Sequence, residues 1–212
     1  MESGGNGGWS IDAAGDANQA ASKLGAGLQD GRQLACRLRR RVGQHRAGRT
    51  LILFADTSAL GSAYPGDEID AEWIGNVLFE GSDPIVICEL ADVEFAGLPA
   101  RAKSDGRIDE AGMTERLDAY DDHTADDGPI GVVPLTHATL VRARELVLRT
   151  SVRTLDALHL AAAGLLADAS DDTVMILTND ARQATAAEAL GFALYARTQP
   201  RLNEKSARST SW

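Results

Sequence analysis

A short apolar run that ends in an acid constrains the fold of this chain more than any other feature. Residues 51–55, Leu-Ile-Leu-Phe-Ala, are followed directly by Asp56, Thr57 and Ser58. This pattern predicts a buried β-strand whose end opens a helix. In parallel α/β sheets such strands are covered on both faces, and ligands bind outside their carboxyl ends. Asp56 is therefore either a helix cap or a functional acid, and this stretch alone does not decide between the two roles.

Strand-like and helix-like segments alternate through the rest of the chain. Further strands are predicted at residues 85–88, 130–135, 174–177 and 192–195, and helices at residues 67–80, 89–103, 108–122, 136–149, 154–163 and 181–190. Pro134 indicates that the 130–135 strand lies at an edge or is irregular. The alternation predicts one α/β domain over residues 51–197, with a central, mostly parallel sheet flanked by helices.

Helical spacing also predicts which side chains of these helices face the core. The residues expected to point inward include Val93, Leu140, Ala143, Leu146 and Val147. Thr154 is expected to cap the 154–163 helix, with Asp156 in its first turn.

The two ends of the chain differ in composition from the predicted domain. Residues 1–20 are rich in Gly, Ala, Asn and Asp, and the first 50 residues end in a basic run that includes Arg37, Arg39, Arg40, Arg41, Arg46 and Arg49. We expect residues 1–50 to be a disordered extension and residues 198–212 a flexible tail. The basic run is more typical of a solvated tail, or of an over-long translation start, than of an arm that contacts nucleic acid.

Composition excludes several classes of protein. The chain has 212 residues, of which 44% are hydrophobic, and a formal net charge of −10. Residues 1–50 carry +4, so the remainder carries −14, which argues against broad, nonspecific adhesion to nucleic acid. Cys36 and Cys88 form neither a disulfide framework nor a zinc pattern. No apolar run is long enough for a transmembrane span or a signal peptide, so we expect a cytoplasmic protein without membrane contact.

Acidic side chains are expected to meet at one edge of the sheet. Two strands end in the same way, in Asp56-Thr57-Ser58 and in Thr178-Asn179-Asp180. Right-handed crossovers bring both ends to the same edge. Glu94 and Asp156 lie in helices near that edge. A pair of carboxylates about 4 Å apart repels by about 4 kcal/mol at an effective dielectric near 20. A divalent cation with a preference for oxygen ligands, Mg²⁺ or Mn²⁺, would relieve this repulsion.

Four motifs in this order resemble those of a known family. They are Phe-Ala-Asp-Thr-Ser-Ala-Leu at 54–60, Leu-Ala-Asp-Val-Glu-Phe at 90–95, Arg-Thr-Leu-Asp-Ala-Leu-His-Leu-Ala at 153–161, and Leu-Thr-Asn-Asp at 177–180. The chain resembles the PIN-domain ribonucleases, and among them the VapC-type toxins of toxin–antitoxin pairs, over residues 51–196. The resemblance implies a PIN-like three-layer fold. It does not extend to residues 1–50.

The resemblance also implies an activity and a site. Asp56, Glu94, Asp156 and Asp180 would bind one or two Mg²⁺ ions, and Ser58 and Thr178 would orient a water or a phosphate oxygen. The chain would be a metal-dependent endoribonuclease that activates a water for in-line attack and leaves products with a 5′-phosphate. A cognate antitoxin protein would cover the site, and the toxin would form a homodimer.

Neighbouring residues offer alternatives within this site. Glu89 rivals Glu94, but Glu89 stands directly at the strand end and does not match the family's helix position. His159 follows Asp156 by three residues, and a hydrogen-bonded packing role is favoured over that of a general base. The cations that could line an RNA path are Arg101, Lys103, Arg107, Arg142, Arg144, Arg149, Arg153 and Arg182.

Two other functions are compatible with a strand that ends in an acid. Phosphatases of the haloacid-dehalogenase kind have Asp-x-Asp at this turn, whereas Ser58 stands in the third position here. They also use a lysine in the second half of the chain, and between Lys103 and Lys205 there is none. A non-catalytic binding module is the third possibility, and the complete set of four acids argues against it.

Overall fold

Five parallel strands form the centre of the structure, a computed structural model that describes residues 51–64 and 71–196. The strands are β1 Leu51–Ala55, β2 Ile85–Cys88, β3 Ile130–Val133, β4 Thr173–Leu177 and β5 Ala193–Leu194. Their order across the sheet is β3-β2-β1-β4-β5, and every pairing is parallel. The predicted α/β class with a parallel central sheet is confirmed, and β3 lies at an edge as Pro134 indicated.

Helices connect the strands, as the alternating pattern predicted. They are α1 Thr57–Ala63, α2 Ala71–Gly75, a π-helix over Asn76–Glu80, α3 Leu90–Ser104, α4 Glu110–Thr124, α5 His137–Arg149, α6 Thr154–Ala169 and α7 Ala181–Ala189. The predicted extension at 1–50, the predicted tail at 198–212 and the start of the predicted 67–80 helix lie outside the described residues. Within the described ranges, no helix combines the length and apolar character needed to cross a membrane.

The strand β1 divides the core into two layers. Ile52 and Phe54 pack on one side of the sheet, in a cluster that includes Leu160 and Leu166 of α6. Leu53 and Ala55 belong to the opposite cluster, which includes buried residues of α1 and α3. Successive side chains of a strand point to opposite faces, so a strand that is apolar at every position must be covered twice. The result is the three-layer arrangement that the resemblance implied.

The order of the strands creates a crevice beside β1. The chain moves outward from β1 through β2 to β3, then crosses to the other side of β1 to form β4. Ligands bind at such a switch point, outside the carboxyl ends of the strands. Here Asp56 directly follows β1, and Thr178 directly follows β4. The backbone N–H of Asp56 donates to Leu177 O at 3.1 Å, which holds the two ends together.

Some predicted helix faces are wrong. Leu140 and Val147 are 47% and 38% exposed, because α5 packs on α6 through Ala143 and Leu146 and turns these residues outward. Val93 is also exposed, at 75%. The residue that caps α6 is Arg153, without a side-chain hydrogen bond, and Thr154 is the first residue of the helix.

Two glycines test the backbone geometry directly. Gly191 follows α7 with φ +86°, whereas Gly75 ends α2 with φ −56°, and a Cβ at either position meets no atom within 4 Å. The left-handed region costs a residue with a side chain about 1–2 kcal/mol. We expect Gly191→Ala to lower the free energy of unfolding by about that amount. The control, Gly75→Ala, should raise it by up to about 1 kcal/mol. Urea denaturation of both variants measures the difference, and equal effects would contradict the left-handed turn at Gly191.

Candidate active site

All four predicted acids line one small pocket at the carboxyl edge of the sheet. The pocket has a volume of about 140 Å³, and its lining residues are Asp56, Thr57, Ser58, Glu94, Asp156, His159, Asp180 and Gln183. These side chains come from six segments of the chain: the residues after β1 and β4 and the helices α1, α3, α6 and α7. The sixth predicted residue, Thr178, is hydrogen-bonded to Asp56. The fold thus brings the predicted set together.

Asp56 is almost completely buried, with 3% of its surface exposed, and both of its oxygens accept hydrogen bonds. Oδ1 accepts from the Ser58 hydroxyl at 2.7 Å and from the Ala59 N–H at 2.9 Å. Oδ2 accepts from the Thr178 hydroxyl at 2.5 Å. Burial raises the pKa of Asp56 and outweighs the opposing effect of these donors. Asp56 therefore caps α1 and lines the pocket with the same carboxylate.

Ser58 and Thr178 join the two strand ends through Asp56. The two hydroxyl oxygens are 3.2 Å apart. Each hydroxyl has one proton, and each donates it to Asp56, so the pair cannot also bond to each other. Their lone pairs are filled by the backbone instead, since Ser58 Oγ accepts from the N–H of Asn179 at 2.9 Å and from that of Asp180 at 3.1 Å. The hydroxyls fix the position of Asp56 relative to the β4 end.

Glu94 is held by two donors on one of its oxygens. Oε2 accepts from the Thr57 hydroxyl at 2.6 Å and lies 2.7 Å from His159 Nε2. Burial opposes ionisation of Glu94, but the bonds from His159 and Thr57 outweigh it and lower its pKa. Glu89 has a different role, because its Oε2 accepts from the Leu135 N–H at 2.7 Å and it does not line the pocket.

His159 is a buried neighbour of the acids, with 3% of its surface exposed. Its Nε2 faces an ionised Glu94, so this nitrogen carries the proton that bridges them. Its Nδ1 is buried and has no hydrogen-bond partner among the described residues. The side chain orients Glu94 and contributes no second polar contact.

Asp156 and Asp180 are in electrostatically different surroundings. Burial, and then the nearby charge of Asp180, raise the pKa of Asp156 despite the opposing charges of Arg153 and Arg182. The side chain and the N–H of Arg182 hold the pKa of Asp180 below its ordinary value. Asp180 caps α7, accepting from the N–H groups of Arg182 and Gln183. Asp180 is thus ionised readily, and its charge disfavours ionisation of Asp156.

The chemistry of the pocket fits a hard divalent cation. Its charged lining residues are four carboxylates, with no lysine or arginine among them. Within residues 51–64 and 71–196, no three acidic, histidine or cysteine side chains converge closely enough to form a ready-made metal site. Mg²⁺ retains several of its own waters in proteins and needs only one or two direct carboxylate ligands. Oxygen donors in a small, negatively charged pocket therefore suit Mg²⁺ or Mn²⁺.

The structure distinguishes some of the basic residues that the sequence offered as candidates for an RNA path. Arg101 and Arg107 line a larger cavity beside the acid pocket. Lys103 is paired with Glu110, and Arg142 with Asp168.

Sequence reasoning missed two residues in this region. Arg116 also lines the larger cavity, and no motif marked it. Thr57 donates a hydrogen bond to Glu94, 37 residues later in the sequence. The only feature of the sequence that could have indicated this role is the position of the Thr57 hydroxyl directly after Asp56.

Comparison with known proteins identifies the family. The family model of the PIN domain matches residues 53–189. The crystal structure of Mycobacterium tuberculosis VapC20, titled a sarcin-ricin loop cleaving toxin, is similar in fold, with a TM-score of 0.50 and 15% identity, over 68% of this chain and 98% of that one. At this identity the likeness supports the fold alone. A search of curated proteins found no match. The PIN match spans more than half of the sequence, and the chain therefore belongs to the PIN domain family.

Proposed function

We propose that this chain is a metal-dependent endoribonuclease, the toxin of a toxin–antitoxin pair. The observation that carries the proposal is the convergence of Asp56, Glu94, Asp156 and Asp180 on one small pocket at the switch point of a parallel sheet. Four carboxylates have a high mutual repulsion unless a cation is bound, so such a pocket is costly without a role in binding one. Membership of the PIN domain family supports the same chemistry.

The four acids would hold one or two Mg²⁺ or Mn²⁺ ions. When bound, such an ion activates water and stabilises the charge that develops on a phosphodiester. Ser58 and Thr178 hold both oxygens of Asp56, which removes its freedom to turn away from the pocket. Thr57 and His159 occupy Oε2 of Glu94 and leave Oε1 for the pocket. Hydrolysis with attack in line would give products with a 5′-phosphate.

The proposal includes partners. The substrate is RNA, and because the similar structure of VapC20 is titled a sarcin-ricin loop cleaving toxin, an RNA with the sarcin-ricin loop is the first substrate to test. A cognate antitoxin would neutralise the toxin by covering the acid pocket with a basic side chain. We also propose that the toxin is a homodimer in the cytoplasm.

A non-catalytic PIN domain is the alternative that this proposal must exclude. Membership of the PIN domain family excludes a phosphatase of the haloacid-dehalogenase kind. A degenerate PIN domain would keep the fold and bind RNA or protein without cleavage. Metal-dependent cleavage separates the two.

We expect purified protein to cleave total RNA at a few discrete sites with Mg²⁺ or Mn²⁺ and to be inactive with EDTA. Asp56→Asn removes the charge from the most buried acid and should lower the cleavage rate by roughly 100-fold or more, since loss of an outer partner of a ligand already costs about 10–100-fold. Asp171→Asn, exposed at the opposite edge of the sheet, is the matched control and should cleave normally. Gel analysis of labelled RNA measures the cleavage rates of both variants. Absence of cleavage by the folded, metal-loaded wild-type protein would contradict the proposal.

A second pair of variants tests which glutamate belongs to the site. Glu94→Gln should abolish cleavage, because Glu94 lines the acid pocket. Glu89→Gln weakens only the bond to the Leu135 N–H, so it should retain activity and lose at most about 1 kcal/mol of stability. Cleavage rates and urea denaturation of the two variants distinguish these effects. If Glu89→Gln lost activity at normal stability, the glutamate of the site would be Glu89 and the assignment to Glu94 would be wrong.

The raised pKa of Asp156 predicts a stability effect with a definite sign. The folded protein disfavours its ionised form, so the unfavourable contribution is present at neutral pH and absent below the ordinary value of 3.8, where the group is protonated in both states. In EDTA at pH 7, Asp156→Asn should therefore melt at a higher temperature than the wild type, and this gain should disappear in acid.

Mg²⁺ should reverse the order of the two proteins at pH 7. A cation that binds only the folded state raises the melting temperature of the wild type with concentration, whereas the variant has lost a ligand. Differential scanning fluorimetry with and without Mg²⁺ measures both effects, with Asp171→Asn as control. A lower melting temperature for Asp156→Asn in EDTA would show that Asp156 has a favourable structural role instead.

A further inference from the structure

A second cavity adjoins the acid pocket and has no assigned role. Its volume is about 610 Å³, and it lies between α1, α3, α4 and the turn that leads from β4 into α7. Thr57, Ser58 and Asp180 belong to the walls of both spaces. The two spaces therefore adjoin each other at these three residues.

The larger cavity is basic, in a chain whose net charge is −10. Arg101, Arg107 and Arg116 line it, against the single acid Asp180. In the described part of the chain, no carboxylate forms an ion pair with Arg101 or Arg116. Arg107 lies 3.4 Å from Asp105, in an exposed and long contact. Arg116 donates one N–H to Gly112 O at 2.8 Å, and the other N–H groups of these guanidinium groups are available to an anion, with a fork geometry that suits phosphate.

Part of the same cavity is apolar. Tyr64, Phe95, Leu98, Pro99 and Ile108 contribute to its walls beside the arginines. A free phosphate ion would leave this surface uncovered. A ligand that matches both halves has an anionic group next to a flat, largely apolar one. A nucleotide has this composition, and its size suits cavities of about 300–1,000 Å³.

Basic residues also lie on the other side of the acid pocket. A cavity of about 300 Å³ shares Asp156 with the acid pocket and has Arg153 and Arg182 in its lining. Both arginines act on the charge of Asp156. The acids thus lie between two arginine-lined spaces, which is the arrangement that a polyanionic strand passing over the acids requires.

From this arrangement we infer that the 610 Å³ cavity is the subsite for one unpaired nucleotide of the RNA, next to the phosphate that is cleaved. The inference rests on the proposed function. Arg101 and Arg107 bind backbone phosphates, and the apolar wall receives the base. Proteins that read RNA by sequence use single-stranded loops, whose bases leave the stack and enter such surfaces. The shared walls favour RNA over a protein segment, because the nucleotide is covalently continuous with the phosphate at the acids.

Binding can be measured apart from cleavage. The probe is a short, fluorescein-labelled single-stranded RNA of mixed sequence, followed by anisotropy with Mg²⁺ present. All proteins carry Asp56→Asn, which keeps the RNA intact. Arg101→Glu and Arg107→Glu reverse charges at exposed positions of the cavity. The matched control is Arg144→Glu on α5, because Arg144 lines none of the three cavities, although the sequence made it a candidate for the RNA path. Circular dichroism verifies that each variant is folded.

We expect each cavity variant to weaken RNA binding by about tenfold or more and to reduce the salt dependence of the affinity, whereas Arg144→Glu stays within about twofold. The same RNA annealed to its complement should bind less tightly than the single strand. Unchanged affinity in both cavity variants would overturn the inference and leave the cavity to a protein partner. Equal binding of duplex and single strand would contradict the inference that the nucleotide in the cavity is unpaired.

The outcome is independent of the proposed nuclease activity. If the subsite is correct and the chain is not a nuclease, binding depends on Arg101 and Arg107 although the wild-type protein cleaves nothing. If the chain is a nuclease and the subsite is wrong, cleavage is lost in Asp56→Asn while Arg101→Glu and Arg107→Glu bind RNA like the control.

Discussion

The repulsion between carboxylates at the end of a buried parallel sheet is the constraint around which this structure is arranged. Three of the four acids are held by donors that come from the fold itself. Asp56 takes its donors from two hydroxyls and a helix N-terminus, Glu94 from Thr57 and His159, and Asp180 from the first turn of α7. Asp156 has the least compensation, and the charge of Asp180 acts on it directly. The four acids are therefore unequal, and the least compensated of them gains most from a cation.

Both Asp56 and Asp180 cap a helix and line the pocket, two roles that the sequence presented as alternatives for Asp56. A parallel strand that feeds a helix places its last polar residue at the helix N-terminus, where the free N–H groups attract a carboxylate. The same position faces the crevice at the switch point of the sheet. Capping and lining the pocket are thus consequences of one geometry, and the question of which role applies has the answer that both do.

The features that could be predicted from the sequence are those that depend on residues close together in the chain. Buried strands appear as continuous apolar runs, and polar residues mark their ends, so the sheet, Asp56 and Asp180 followed directly. Glu94 and Asp156 lie in helices and were predicted only through the resemblance of the motifs. The buried face of α5 was predicted in part, because Leu140 and Val147 fit the same helical stripe as Ala143 and Leu146, and only packing on α6 shows which of them are covered. Contacts between residues far apart in the sequence could not be predicted either. The Thr57–Glu94 bond and the position of Arg116 depend on how α3 and α4 lie against α1.

The double role of Asp56 and Asp180 affects how mutational drift in such a domain is interpreted. A descendant that lost its activity would still need a helix cap at both positions, and Asp, Asn, Ser and Thr all serve as caps. An aspartate retained at either position is therefore explained by stability as well as by activity. Glu94 lies inside α3 and caps no helix, and stability requires there only an acceptor for the bonds from Thr57 and His159, which a glutamine also provides. When homologues are sorted into active and inactive forms, a neutral residue at the position of Glu94 is thus a clearer sign of lost activity than a retained aspartate is of activity.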